Sequence, residues 1–378
     1  MSTIHWTEGP THQTARWHSE NGASLPQRVI VADDRMRAND AYRQACEGTA
    51  LLWRGDFHNA RQLLQAMGRR IDRKRRGTAT STSESFHLHR RASSQRARVL
   101  GKLLVLLDDD HTLALRRAPD VRQACREAYG PPDGPVAVSL KELLGVIGAH
   151  QWRVNGVDVP ALGTRIHPHY GVFAPIRGEY VDLVAHTPLP PVTRIGTATS
   201  TAFDLGTGTG VLAAVLARRG ISRIMATDIS PRALACAKDN VRRLALTDRI
   251  NVTGPGLFPE GRADLIVCNP PWLPARPASL IEQGVYDTDS TMLRGFLTGL
   301  SAHLRPGGEG WLILSDLAEH FGLRTRPQLL DAIQTAHLQV EDKIDTKPRH
   351  PRSKDTTDPL HAARSAETTS LWRLTKIA

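Results

Sequence analysis

Phe203-Asp204-Leu205-Gly206-Thr207-Gly208-Thr209-Gly210 is the stretch that decides how this chain is read. An apolar strand pattern, Ala202–Leu205, runs into three glycines at alternate positions and then into the helical pattern Val211–Arg219. Glycine lets the backbone come close to a ligand and take φ values that a side chain forbids. The helix that follows aims its free amide N–H groups and its positive end at whatever the turn holds. Dinucleotide sites use the same physics, but their spacing is G-x-G-x-x-G, and here it is G-x-G-x-G. Asp204 ahead of the turn would repel a pyrophosphate and would suit an ammonium group.

Working outward, the rhythm from residue 201 is β-α-β. Strand Arg223–Thr227 ends at Asp228, which is placed to accept hydrogen bonds from two ribose hydroxyls. Ser230 caps a helix that opens with Pro231 and runs to about Leu246. Strands Ile250–Thr253 and Ala263–Cys268 follow. A helix over roughly Ser290–Leu304 is closed by Pro306-Gly307-Gly308, and strand Gly310–Leu314 comes next. Helix Arg326–His337 and strands Gln339–Ile344 and Ser370–Thr375 complete the pattern. This alternation predicts a mostly parallel, Rossmann-like sheet with helices on both faces and a last strand that is antiparallel.

The second informative stretch is Asn269-Pro270-Pro271-Trp272, directly after an apolar strand. An amide or exocyclic amine nitrogen is a poor nucleophile because its lone pair is conjugated. Two acceptors on its hydrogens would rotate the group and expose that lone pair. The Asn269 side-chain oxygen and the Pro270 carbonyl supply such acceptors, and they stabilise the positive charge that develops on nitrogen. Trp272 offers a surface on which a planar substrate can stack, or a face for a sulfonium. A glycine turn that suits an ammonium, followed by a site that grips a flat NH2 group, points to methyl transfer from S-adenosylmethionine to nitrogen.

These motifs resemble the class I methyltransferases and, within them, the small-domain branch. That branch includes glutamine N5-methyltransferases of release factors and ribosomal protein, and base N-methyltransferases of ribosomal RNA. The resemblance covers about residues 165–378. It implies that Asp204, Gly206, Thr207, Gly208, Gly210 and Asp228 hold S-adenosylmethionine, with Ile229 and Asn269 counted among the cofactor residues. It further implies that Asn269, Pro270, Pro271 and Trp272 carry catalysis. Val172-Phe173-Ala174-Pro175 looks like the segment that lies against the cofactor, which makes Phe173 and Pro175 substrate-side candidates with Trp272. The run Ile281 to Gly308 looks like the post-motif helix of the glutamine enzymes. Two departures stand out. Gly256 occupies the place where family members often carry an acidic residue for the adenine, and Trp272 replaces the more usual Tyr or Phe.

The rest of the chain frames this core. Its 378 residues suggest an N-terminal recognition domain at 1–150, a connector at 151–200 and the catalytic domain at 201–378. The first 30 residues read as a loose polar tail. Asp56 is placed to cap a helix with Phe57, Ala60, Leu64, Met67 and Ile71 on its apolar face. Gly77 to Ser85 reads as a Thr/Ser loop, and Val99 to Leu115 as a hairpin around Asp108-Asp109-Asp110. The net charge of +11 and the ten Lys/Arg of residues 69–98 fit RNA or a ribosome-associated protein as partner. The loop Lys347–Arg364 is a candidate substrate clamp. Four scattered cysteines and a start without a basic-then-apolar block fit the cytoplasm and no secretory signal, and no metal is expected at His167, His169, His87 or His89. The residues leave open a protein glutamine or an RNA base as target. They also leave open a small-molecule N- or O-methyltransferase, or a non-catalytic RNA-binding module of the same fold.

Overall fold

Residues 3–17 form a β-hairpin, not the loose tail that their polarity suggested. β1 (Thr3–Glu8) and β2 (Thr11–Trp17) pair antiparallel around Gly9, whose φ of +61° favours glycine. The alternation is of period two: Ile4 and Trp6 are buried while His5 and Thr7 stay exposed. The structure is a computed structural model that describes residues 2–73, 81–193, 199–349, 355–356 and 358–377. It divides into two units, one of residues 1–80 and 87–151 and one of residues 81–86 and 152–378.

In the first unit the sheet order is β1-β2-β6-β5-β4-β3. β3 (Val29–Ala32), β4 (Ala50–Trp53) and β5 (Leu103–Leu107) are parallel. Their crossovers carry α1 (Ala38–Cys46), α2 (Phe57–Arg73) and α3 (Thr82–Leu100). After α4 (Arg122–Tyr129), β6 (Val136–Ser139) pairs antiparallel with β5 and leads at once into α5 (Leu140–Asn155). Both faces of the sheet are covered, so β4 reads as unbroken apolar sequence. Ala50 and Leu52 join Ile4, Trp6, Leu104 and Ala137 on one side, while Leu51 and Trp53 join Leu64, Met67 and Val105 on the other.

The cap expected of Asp56 is present. Its Oδ1 accepts from the backbone N–H of His58 (2.9 Å) and Asn59 (3.4 Å) at the start of α2. Arg117 Nε (2.6 Å) and Arg116 Nε (3.1 Å) both donate to its Oδ2. Those bonds, above all the Arg117 one, hold the buried carboxyl well below the usual carboxylate range.

Two further expectations fail here for identifiable reasons. The hairpin at 99–115 does not form, because β5 already has β4 on one edge and β6 on the other. Asp108-Asp109-Asp110 turns the chain, but the segment after it carries no strand, and His111 sits at φ +68°. The Thr/Ser loop ends early, because Ser81 Oγ accepts from Glu84 N–H (3.1 Å) and starts α3. Lys74, Arg75 and Arg76 of the basic run, and Gly77–Thr80 of that loop, lie outside the described residues.

The second unit begins with the small hairpin β7 (Val157–Val159) and β8 (Thr164–Ile166), then α6 (Gly178–His186). Its main sheet has the order β11-β10-β9-β12-β13-β15-β14. β9 (Thr201–Leu205) is central, flanked by β10 (Arg223–Thr227) and β11 (Ile250–Thr253) on one side and by β12 (Ala263–Cys268) and β13 (Leu304–Ser315) on the other, all parallel. β15 (Thr369–Lys376) inserts antiparallel between β13 and β14 (Leu338–Thr346). This is the Rossmann-like sheet with an antiparallel final strand that the alternation predicts. α7 (Val211–Arg218) and α8 (Pro231–Arg243) follow β9 and β10. α9 (Thr291–His303) precedes β13, α10 (Leu317–His320) and α11 (Arg326–Thr335) follow it, and α12 (His361–Ala366) leads into β15. Period two again sorts the core: Ala202, Leu265 and Val267 meet α7, while Phe203, Leu205, Ile266 and Cys268 meet α9. Pro306-Gly307-Gly308 was expected to close the helix. It lies instead inside β13, where a register irregularity opposite Ala263–Leu265 and a φ of +72° at Gly307 absorb it. No helix among the described residues is long and apolar enough to cross a membrane.

Candidate functional site

Strand register brings three of the sequence-predicted residues into a row. Asp204 stands opposite Ala226 on β10 and Val267 on β12, and Leu205 stands opposite Thr227 and Cys268. One step further along, Asp228, Gly206 and Asn269 therefore emerge side by side at the carboxyl ends of β10, β9 and β12. Open α/β sheets take ligands at this edge.

The turn after β9 is built as its glycines require. Gly206, Gly208 and Gly210 have φ of +69°, +54° and +81°. A Cβ on Gly206 would come within 2.3 Å of Met292 Cε, so a side chain there meets both backbone strain and a neighbour. Met292 is fixed from its own backbone: Asp287 Oδ2 accepts from Met292 N–H (2.8 Å) and Leu293 N–H (3.3 Å) at the start of α9. Asp204, only 1% exposed, braces the turn from inside, its Oδ2 accepting from Thr207 Oγ1 (2.6 Å) and Ala213 N–H (3.0 Å). Asp228 closes the other flank, with Oδ2 accepting from Gly208 N–H (3.0 Å) and Oδ1 from Ser230 N–H (2.9 Å).

These carboxylates are short of positive charge. Burial pushes the Asp204 carboxyl up to about 6, against the lowering by its two hydrogen bonds. Burial also raises Asp228. A third carboxylate, Glu179 in the first turn of α6, is 1% exposed, and neither of its oxygens has a hydrogen-bond partner among the described residues. It directly precedes Tyr180, whose hydroxyl burial above all pushes up, with the Asp204 and Glu179 charges adding to the effect. A buried carboxylate with no donor costs several kcal/mol, so this cluster suits a cationic ligand. Ile229, beside Asp228, is 75% exposed and presents an apolar face at the same edge. Gly256, in place of an acidic residue, donates its N–H to the Asp228 carbonyl (3.2 Å).

The Asn269–Trp272 turn differs from the expected arrangement. Trp272 does not stand free for stacking: its indole N–H donates to Asn269 Oδ1 (2.9 Å). The Arg177 guanidinium lies over the indole, 5.1 Å from the ring centroid, and the ring packs against two of the unit's apolar clusters, those beneath α7 and α9. No described residue donates to the Pro270 carbonyl, so that acceptor stays available. The turn is tied down by Leu273, which bridges to Tyr286 and exchanges backbone bonds with Val285 and Asp287. Phe173 packs against Gly284 of the 3-10 turn Ile281–Gly284, and Pro175 is buried just ahead of α6. The run Ile281–Gly308 is thus two short 3-10 turns, then α9, then the start of β13. In the expected clamp loop, Arg349 pairs with Asp182 (3.0 Å) and Lys347 with the Ala366 carbonyl (3.2 Å), while His350, Arg352 and Lys354 lie outside the described residues. His167 Nδ1 lies 2.7 Å from the Arg153 carbonyl, and His169 lies 3.3 Å from Asp239.

Glu179, Arg177, Met292 and Glu367 are the site residues that sequence reasoning missed. An acidic residue in a first helical turn is so common that Glu179 carries no signal by itself. The one available clue was a carboxylate set among Tyr180, Val181, Leu183 and Val184, all buried.

Residues 165–341 match the family described as the methyltransferase small domain. The release factor glutamine methyltransferase of Cereibacter sphaeroides is 34% identical over 167 residues, which cover 40% of this chain and 58% of that one. The ribosomal protein L11 methyltransferase of Pelotomaculum thermopropionicum is 44% identical over 71 residues, 18% of this chain and 23% of that one. A solved methyltransferase from Pyrococcus furiosus, 19% identical, aligns over 57% of this chain and 90% of its own with a TM-score of 0.38. The chain thus spans 58% of the first relative's length.

Proposed function

We propose, from the premise that residues 165–341 are a class I methyltransferase domain, that this chain is an S-adenosylmethionine-dependent N-methyltransferase acting on a side-chain amide of a cytoplasmic translation protein. The observation that carries the reading is the row Asp228–Gly206–Asn269, backed by the buried carboxylates Asp204 and Glu179. The residues fit the donor. The glycine turn excludes any side chain where Met292 leans in, and two carboxylates without a cation partner among the described residues suit its ammonium. Asp228 offers carboxylate oxygens to a ribose, and Ile229 an apolar face to a base. When bound, S-adenosylmethionine supplies a methyl group on a sulfonium, an activated leaving group.

The protein's own contribution is to orient the acceptor. Asn269 Oδ1 keeps one lone pair after accepting from Trp272, and the Pro270 carbonyl has both. Each accepts one N–H of the target NH2, twisting it so that its lone pair leaves conjugation. The same two oxygens then face the growing positive charge on nitrogen, which is where catalytic electrostatics act. No strong base is needed, because the methylated nitrogen is acidic and gives its proton to solvent or to these acceptors.

An amide is favoured over an RNA base by one structural feature. Stacking a base needs an open aromatic face, and Trp272 has Arg177 over its ring and apolar core around it. The basic surface of α2 and α3, with Arg61, Arg69, Arg73, Arg91 and Arg98 exposed, suits recognition of an acidic or RNA-bound partner.

Tritiated methyl transfer into an extract lacking the enzyme tests this directly. Label released by protease supports the reading. Label released by RNase moves the target to RNA, and no label at all overturns methyl transfer. Asn269→Ala should lower turnover about 100- to 1,000-fold with donor affinity by calorimetry within about twofold. Unchanged turnover would remove Asn269 from its role.

A further inference from the structure

We propose that Trp272 is a positioning residue: its indole N–H sets the orientation of the Asn269 amide, and Arg177, locked by Glu367, holds the indole in place. The inference rests on the methyl-transfer reading of this site and goes one step deeper into it.

The two ends of an asparagine amide have nearly the same shape and opposite chemistry. One end accepts and the other donates. An asparagine that must accept from a substrate NH2 fails if it flips, because two NH2 groups then face each other. The indole Nε1 is a donor only, so its 2.9 Å bond selects Oδ1 and excludes the flipped amide. The oxygen has a second lone pair left for the substrate.

The indole is itself fixed from behind. Arg177 lies 5.1 Å from its centroid. That guanidinium is held in two places by Glu367, with Nη1 donating to Oε1 at 2.9 Å and Nη2 to Oε2 at 3.3 Å. Glu367 has no exposed surface, and Ser315 Oγ donates to its Oε1 at 2.7 Å. The chain of contacts thus runs from Ser315 at the end of β13, through Glu367 just before β15 and Arg177 just before α6, to the turn after β12. Residues far apart in sequence converge on one side-chain amide, which a merely space-filling tryptophan would not require.

The decisive variant replaces Trp272 by benzothienylalanine, which keeps the ring, its packing and the cation contact but has sulfur where the N–H was. Turnover in the tritium assay at saturating S-adenosylmethionine should fall about ten- to hundredfold, with donor affinity and Tm unchanged. A second readout needs neither donor nor substrate. In protein labelled with 15N-tryptophan, the indole signal lost in the Trp272 variant should exchange slowly in the wild type and become fast in Asn269→Ala. Wild-type turnover in the benzothienyl variant, or an indole proton that exchanges freely, would overturn the proposal. A protected indole in a wild-type chain that binds no donor and transfers no label would overturn the methyl-transfer reading, and the positioning role with it.

Discussion

Asp56 and Asp204 are both buried aspartates at the turn between a parallel strand and its helix, one in each unit, and their surroundings are opposite. Asp56, after β4, accepts two backbone N–H groups and two arginines, and its carboxyl is held low. Asp204, at the end of β9, has among the described residues only a threonine hydroxyl and one backbone N–H as donors, and burial drives it up to about 6. A buried charge whose partners are all supplied within the fold is a finished piece of structure. One that lacks a cation is completed by something that binds. The glycines of the two turns differ in the same sense. A Cβ on Gly55 would strike Asp34, including its backbone N at 2.9 Å, whereas the obstacle at Gly206 is the tip of Met292. The first turn is closed by the side chain and backbone of Asp34 together, the second by a side-chain tip alone.

Three experiments press on this contrast. The largest effect is expected from Gly206→Val, which places a branched side chain at φ +69° against Met292. Calorimetry should find no S-adenosylmethionine binding, a loss of at least about a hundredfold, and retained binding would show that the turn is not the donor site. The next comes from pH. In the folded protein Asp204 favours its neutral form, so its contribution to stability is present at low pH and lost as pH rises through about 6. A cationic ligand needs the ionised form. Donor affinity should therefore fall about tenfold per unit below pH 6 and level off above it, and Asp204→Asn should weaken binding and flatten that slope. An identical slope in the variant would assign the titration to another group. The smallest effect on the ligand is expected from Asp56→Asn. It should lower the melting temperature, by leaving Arg116 and Arg117 without their shared carboxylate, while donor affinity stays the same. A matching drop in donor affinity would erase the distinction between the two aspartates.

The parts of the molecule legible in sequence were those whose signals are local. β10, β11 and β12 fall where the apolar runs and turn residues put them, and Ser230 caps α8 as its position before Pro231 implies. The row Asp228–Gly206–Asn269 was legible because each residue follows a strand directly. The hairpin of β1 and β2 was not, because its inward residues are diluted by threonine and histidine and its second strand buries only Ala15. α3 was hidden for a similar reason, with Phe86, Val99 and Leu100 the buried side chains in a run of Ser and Arg. The support behind Asn269 could not be read at all. Arg177 and Glu367 are 190 residues apart, and nothing in either segment announces the other.

The insertion of β15 between β13 and β14 bears on the order in which the polypeptide is made. A ribosome that has reached Thr346 has produced β14 but not the neighbour it pairs with, and one edge of β13 is still bare. At about 5–20 residues per second the missing segment takes on the order of a few seconds to appear. During that interval a nascent chain carries a half-built sheet with an adhesive rim, so its birth demands shelter from other strands until Thr369–Lys376 slides into the gap.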